Sequence, residues 1–269
     1  MRIMCLNGWG GTLHEALVPY LRATRPDVLC LQEVVHTPTA QTAWLTYRDG
    51  DHVLPQRARF FDEVRAALPG HVATFCPAAQ GALWDGDRPV PSQWGLASFV
   101  RSDIPVTEQV QGFVHKGFGA EGFGAHPRSR SAHVMKLWDY EAGGPLTVAH
   151  MHGLRDLAGK ADTPARLRQA QRFVDLIRAI WRDGAPLVVC GDFNVEPGSA
   201  TFDVLARLGV ADLVTAQGVE GTRTSHYKKP GRFADYMLVN GAVGSGDFQV
   251  VRTPEVSDHC PLLLDTRRH

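Results

Sequence analysis

The chain is most constrained by Leu187-Val188-Val189-Cys190, four consecutive apolar residues that run into Gly191-Asp192-Phe193-Asn194. An unbroken apolar run of this length reads as a strand covered on both faces, which requires a layered fold around a buried sheet. Gly191 lets the backbone turn, or lets it approach a ligand more closely than a side chain would allow. Side chains alternate along extended chain, so Asp192 and Asn194 are expected on one side and Phe193 on the other. An acid and an amide at the mouth of a sheet suit the handling of a water molecule and the orientation of a phosphate.

The pattern recurs. Ile3-Met4-Cys5-Leu6 leads into Asn7, Val28-Leu29-Cys30-Leu31 into Gln32-Glu33, and Leu146–Ala149 into His150-Met151-His152. Asp235-Tyr236 lies inside the apolar run 233–239, and Ser257-Asp258-His259 precedes the run 260–264. Singly, each has an ordinary explanation. An Asn before a glycine is commonly a turn residue, and a lone interior His is commonly a satisfied core residue. A carboxylate directly after a buried run, as at Glu33, is costly unless paired or metal-bound. Five strand ends or interiors carrying Asn, Glu, His, Asp/Asn and Asp/His have no common surface explanation.

Between these runs the helical signals are strong. Thr12 and Glu15 have capping-box spacing ahead of a Leu13, Leu17, Leu21 stripe, and a helix is expected over Arg57–Leu68. The clearest helix is Pro164–Trp181, with Thr163 as N-cap and Leu167, Ala170, Phe173, Val174 and Ile177 on one face. A short helix is expected from Ser199 or Thr201 to Leu208, closed by Gly209. About ten strands with four helices in this order predict an α/β sandwich (α+β by some schemes) of two mixed, mostly antiparallel sheets with helices outside. Two segments read as loops. Residues 77–93 form a turn-rich insertion, and residues 112–124 carry three Gly-Phe pairs whose rings either stack on a ligand or fold back onto the sandwich edge.

Composition bounds the class. At 269 residues the chain fits one large α/β domain over 1–269. Lys+Arg and Asp+Glu both number 28, and zero net charge disfavours tight non-specific duplex binding, although nucleic acid stays a possible partner. Cys5, Cys30, Cys76, Cys190 and Cys260 match neither a disulfide framework nor a zinc pattern, as expected of buried reduced thiols in a cytoplasmic protein. The first residues enter a strand at once, so no signal peptide is expected, and no apolar window is long enough for a membrane span.

Carboxylates with an amide oxygen are hard ligands suited to Mg2+ or Mn2+. The residues thus point to metal-assisted hydrolysis of a phosphate-ester substrate, with a carboxylate handling water and a His at the departing oxygens. At Leu6-Asn7, Leu31-Gln32-Glu33-Val34, Gly191-Asp192-Phe193-Asn194, Asp235-Tyr236 and Ser257-Asp258-His259, the chain resembles the endonuclease/exonuclease/phosphatase superfamily, the DNase I-like fold. The motifs occur in family order and span residues 3 to about 264. The resemblance implies a four-layer α/β/β/α sandwich with the site at one end of the two sheets. It implies Glu33 as principal metal ligand with Asn7 beside it and Asp258 completing the metal environment or supporting it from behind. Asp192 would orient or deprotonate water, Asn194 would hold it and a phosphate oxygen, and Asp235 would orient His259 against the scissile phosphate. His152 falls where many members carry Thr-His-Leu and would contact phosphate.

The departures bear on substrate. Trp9 stands where many nucleases of the family place a polar residue, and is expected to wall the cleft. Phe233-Ala234-Asp235-Tyr236 replaces the frequent Arg-Ile-Asp-Tyr, with Arg223, or Lys228 and Lys229, as substitutes for the phosphate-binding charge. A small-molecule, nucleotide or lipid-headgroup phosphoester is slightly favoured. A DNA or RNA endo- or exonuclease is the alternative within the family, and a catalytically silent binding or scaffold protein the alternative of another class.

Overall fold

The computed structural model describes residues 1–244 and 246–266. In chain order the strands are β1 (Arg2–Asn7), β2 (Val28–His36), β3 (Trp44–Asp49), β4 (His52–Arg57), β5 (His71–Asp85), β6 (Arg88–Arg101), β7 (Val106–His115), β8 (Arg130–Asp139), β9 (Gly144–His152), β10 (Leu187–Asp192), β11 (Val210–Asp212), β12 (Asp235–Asn240), β13 (Asp247–Val250) and β14 (Leu262–Asp265). The helices are α1 (His14–Thr24), α2 (Phe60–Ala67), α3 (Pro164–Ile180), α4 (Ala200–Ala206) and α5 (Leu213–Ala216). An eight-stranded sheet has the order β13-β14-β1-β2-β6-β5-β3-β4, and a six-stranded sheet the order β11-β12-β10-β9-β8-β7. Only β1–β2 and β9–β10 pair in parallel among the described strands.

The period-two alternation of β1 shows how the layers form. Ile3 and Cys5 join the core that contains β8–β10 and α3, while Met4 and Leu6 join Leu17 and Leu21 of α1 and Phe60, Phe61 and Val64 of α2. β2 repeats this, with Val28 and Cys30 facing the other sheet and Leu29 and Leu31 facing the outer helices. Each strand of this pair therefore separates an inter-sheet core from an outer helical layer, which is the expected four-layer arrangement. α3 starts as its sequence dictates, with Thr163 accepting from Arg166 N at 3.2 Å and Pro164 following. A cap of this kind stabilises a helix by about 1 kcal/mol. Among the described residues no helix is long and apolar enough to cross a membrane, and all five cysteines are free and buried.

Several expectations need correction. Residues 77–93 are not a loop: β5 and β6 continue as a long hairpin that turns between Asp85 and Arg88, with Gly86 at φ +59°. Pro89 and Pro91 are tolerated because β2 stops pairing at Gln93, leaving β6 with only β5 beside it. The 112–124 segment is also more ordered than a loop. Gly112-Phe113 lies within β7, Gly119 bridges to Ala79, and the Phe123 ring packs over Gly81. Phe118 alone of the three rings is left exposed. β3, β4, β7 and the three-residue β11 are additional strands, and β4 and β7 are sheet edges, where Pro55 and a largely exposed side-chain pattern are both acceptable. Thr12 does not cap α1; its hydroxyl bonds the carbonyls of Trp9 and Pro55 instead.

Candidate active site

The ends of β1, β2, β9, β10 and β12 meet at one side of the sandwich, and strand register alone sets the first contacts. Asp192 is paired across β10 with His152 of β9 and with Asp235 of β12. Asn7 is the inward-facing end of β1 and donates from Nδ2 to Asp192 Oδ2 at 2.9 Å. The same Oδ2 lies 3.7 Å from His152 Nε2 and 3.7 Å from His259 Nε2. Three sequence-predicted residues thus converge on one buried carboxylate oxygen of a fourth.

Gly191 allows this packing, but what approaches it is a neighbouring strand and not a ligand. Its φ is +143°, and a Cβ there would sit 2.1 Å from the Met151 carbonyl oxygen of β9. Phe193 turns into the core against Phe173, Phe202 and Tyr236. Asn194 reaches the cleft through a left-handed backbone (φ +54°) and not through strand alternation, because β10 ends at Asp192. Its N–H donates to Asp192 Oδ1 at 3.0 Å, which closes the turn.

Glu33 arrives by a different device. Continued alternation would send it with Leu29 and Leu31 toward the outer helices. A bulge between Leu31 and Val34, with Glu33 itself at φ +54°, inserts one residue and re-aims its carboxylate into the cleft. Its Oε1 lies 3.9 Å from His152 Nε2. Burial, with the neighbouring charge of Asp258, raises its carboxyl to about 7.

On the other side, His259 Nδ1 meets Asp235 Oδ2 at 2.8 Å. Thr222 Oγ1 accepts from the backbone N–H groups of Ala234 and Asp235, holding the start of β12. Burial raises Asp235 and lowers His259, and the adjacent Arg223 further opposes a second positive charge there. Burial also depresses His152, aided by Arg130. Asp258 accepts from Arg223 Nη1 at 2.8 Å through Oδ2, whereas its buried Oδ1 has no hydrogen-bond partner among the described residues.

These residues line a cleft of about 1070 Å3, with Trp9, Trp94 and Tyr227 among its aromatic walls and Arg130, Arg155 and Arg223 among its cations. Lys228 and Lys229 lie at its exposed rim, and Arg223 is buried beside His259. Arg130 and Trp94 were not anticipated. The Trp94 ring lies 5.2 Å from the His152 ring, tilted by 50°, and has the Arg130 guanidinium 5.1 Å from its centre. A signal existed in Arg128-Ser129-Arg130, arginines alternating into the start of an apolar strand, the same kind of polar strand end that marks the other site residues.

The donor chemistry fits a hard divalent cation. Ligand atoms of Glu33, His152 and Asp192 lie within 4.8 Å of one another, as do those of Asp192, Asp235 and His259. The orphaned Asp258 Oδ1 adds an oxygen, and of the four carboxylates Glu33, Asp192, Asp235 and Asp258 only Asp258 has an arginine within hydrogen-bond distance among the described residues.

A model of the Endonuclease/Exonuclease/phosphatase family matches residues 6–259. Among solved structures, the chain is similar to an endonuclease/exonuclease/phosphatase from Bacteroides vulgatus, at 18% identity and TM-score 0.66, covering 100% of this chain and 98% of that one. It is similar to a mannosyl-6-phosphatase of Bacteroides thetaiotaomicron at 14% identity and TM-score 0.66, covering 99% of each chain. The human Nocturnin catalytic domain, solved with bound sulfate, matches at 21% identity and TM-score 0.65, covering 99% of this chain and 93% of that one. At such identities these likenesses show a shared fold. No curated protein sequence matches the chain.

Proposed function

The chain belongs to the endonuclease/exonuclease/phosphatase family, and we propose that it is a divalent-metal-dependent phosphoesterase acting on a phosphodiester or phosphomonoester of a small molecule, nucleotide or lipid headgroup. The observation that carries this reading is the convergence of Asn7, His152 and His259 on Asp192 Oδ2, with Glu33 and the unsatisfied Asp258 oxygen beside it. Glu33, Asn7 and Asp258 would hold Mg2+ or Mn2+. When bound, the ion acts as a Lewis acid that offsets charge building on the phosphate oxygens.

The chain's own residues supply the rest. Asp192, held by the Asn7 amide and the Asn194 N–H, is fixed as an acceptor; it orients a water and takes its proton. The Asn194 side chain holds that water and a phosphate oxygen. The new P–O bond forms to the water oxygen as the ester P–O bond breaks. Asp235 fixes the proton of His259 on Nδ1, so Nε2, which accepts from Arg223 Nη1, faces Asp192 and the space proposed for the phosphate. An arriving phosphate anion favours the imidazolium of His259 or His152, which then protonates or stabilises the departing oxygen.

A small substrate is favoured over duplex DNA by zero net charge and by a cleft partly walled by Trp9. The decisive experiment is hydrolysis across phosphomonoesters, linear and cyclic nucleotides, lipid headgroups and DNA, under Mg2+ and Mn2+, with Asp192→Asn beside the wild type. Metal-dependent turnover that falls at least about 100-fold in Asp192→Asn supports the reading. Equal activity in the variant, or none in either protein, refutes it.

A further inference from the structure

Beyond the carboxylates, the cleft carries cations that the chain leaves largely unneutralised. Arg130 is only 3% exposed, donates from Nε to the Gly153 carbonyl at 2.7 Å and from Nη1 to the Ser129 carbonyl at 3.1 Å, and has no carboxylate in ion-pair range among the described residues. Its nearest opposing charges, Glu33 and Asp192, lie beyond ion-pair range, so burial still disfavours the guanidinium charge, and an anionic ligand is what offsets that cost. Arg155, half-buried in the same cleft, makes no hydrogen bond or ion pair among the described residues. Arg128 lies over the rings of Tyr47 and Phe123, and its ion pair with Asp49 is shared with His126. Of the three arginines only Arg128 has a carboxylate in ion-pair range among the described residues, the half-exposed Asp49.

Their placement relative to the proposed chemistry is defined. Trp94 contacts both the His152 ring and the Arg130 guanidinium, and Arg130 lies close enough to the catalytic end of the cleft to feel the charges of Glu33 and Asp192. Arg155 acts on both regions. Its charge, secondary to burial, presses on His152 at the catalytic end and on His52 and His126 farther along the cleft.

We propose that Arg130, Arg155 and Arg128 form a second anion subsite, and that the substrate is a small molecule carrying another phosphate besides the phosphoester that is cleaved. The inference rests on the hydrolytic reading only for which phosphate is cleaved; the subsite stands on the arginines. Guanidinium forks match phosphate oxygens bidentately, and Arg130 is held in place by its carbonyl bonds and the Trp94 face, so little side-chain freedom is lost on binding. The subsite is recessed. A nucleic-acid backbone, by contrast, is followed by an exposed basic stripe.

The test is calorimetric binding of glucose 1-phosphate and glucose 1,6-bisphosphate to Asp192→Asn protein in Mg2+, a readout that does not depend on turnover. The bisphosphate binds at least tenfold tighter, and adding Arg155→Ala brings the two affinities to within about threefold. Arg155→Lys retains an intermediate preference because charge survives while the fork is lost. Arg155 has no hydrogen bond to lose, so the variants keep the parental unfolding temperature, which is measured alongside. Equal affinities in the parent, a preference that Arg155→Ala leaves intact, or tighter binding of a single-stranded oligonucleotide with steep salt dependence overturns the proposal. An Arg155-dependent bisphosphate preference in a protein that hydrolyses no phosphoester upholds the subsite and rejects the hydrolase reading instead.

Discussion

Ser98→Ala probes how the two sheets are locked behind the site. Gln32 Nε2 donates to His150 Nδ1 at 3.2 Å, which places the His150 proton on Nε2, 2.8 Å from Ser98 Oγ. The Ser98 hydroxyl must then donate to His133 Nδ1 at 2.8 Å, and His133 Nε2–H donates to Gln109 Oε1 at 3.2 Å. One direction satisfies every member, and the chain links β2, next to Glu33, with β9, next to His152. Alanine leaves the His150 Nε2–H without an acceptor and His133 Nδ1 without a donor, in side chains 0% and 1% exposed. Each unsatisfied buried group costs about 1–3 kcal/mol, and a single-oxygen vacancy gives a water too little room to replace both bonds. The expected loss is about 2–4 kcal/mol, read in urea as a midpoint lowered by about 1 M at unchanged slope. Ser92→Ala is the control, because that buried hydroxyl only donates to the Val90 carbonyl and its loss orphans no imidazole. If Ser98→Ala costs no more than Ser92→Ala, the chain does not bind the sheets together.

The raised Glu33 carboxyl makes stability depend on pH with a definite sign. The unfolded chain releases this proton near 4.5 and the metal-free fold only near 7, so stability is highest below that window and falls as pH rises through it. With 27% of the side chain exposed, the loss is about 2 kcal/mol, and Mg2+ raises the unfolding temperature more at pH 8 than at pH 6. Equal increments at both pH values, or an unchanged difference in Glu33→Gln, contradict this assignment. Gly191→Ala forces a methyl to 2.1 Å from the Met151 carbonyl at φ +143° and prevents folding or costs more than about 3 kcal/mol. Gly143→Ala, with φ +69° but open space, costs about 1 kcal/mol, and similar unfolding temperatures for the two variants dispose of the argument.

Much of this site is legible in one dimension because it is built on strand ends. Asn7, His152 and Asp192 each end an apolar run and Asp235 lies inside one, and period-two alternation already puts Asn7 and Asp192 on the inward faces that oppose one another. The same logic misses β4 and β7, since edge strands tolerate Pro55 and a polar pattern. It reads the far half of the β5–β6 hairpin as a loop, because Pro89 and Pro91 signal a break wherever the partner strand is unknown.

By itself, then, the chain's local pattern settled the layered fold, the polar groups at the strand ends and the α3 boundaries, since these depend on alternation, helical period and capping within a few residues. Tertiary structure decided what depends on register between distant segments. The bulge that turns Glu33 into the cleft needs β6 beside β2. The Asp258–Arg223 and Asp235–His259 pairs need β12 and the 222–224 and 257–259 segments brought together. Arg130, an ordinary polar residue at a strand start in sequence, becomes a buried cation against Trp94 of the other sheet, within reach of the Glu33 and Asp192 charges, only once the fold assembles. Charge and donor sets are local properties of a residue, whereas whether they are neutralised is a property of what the fold places against them.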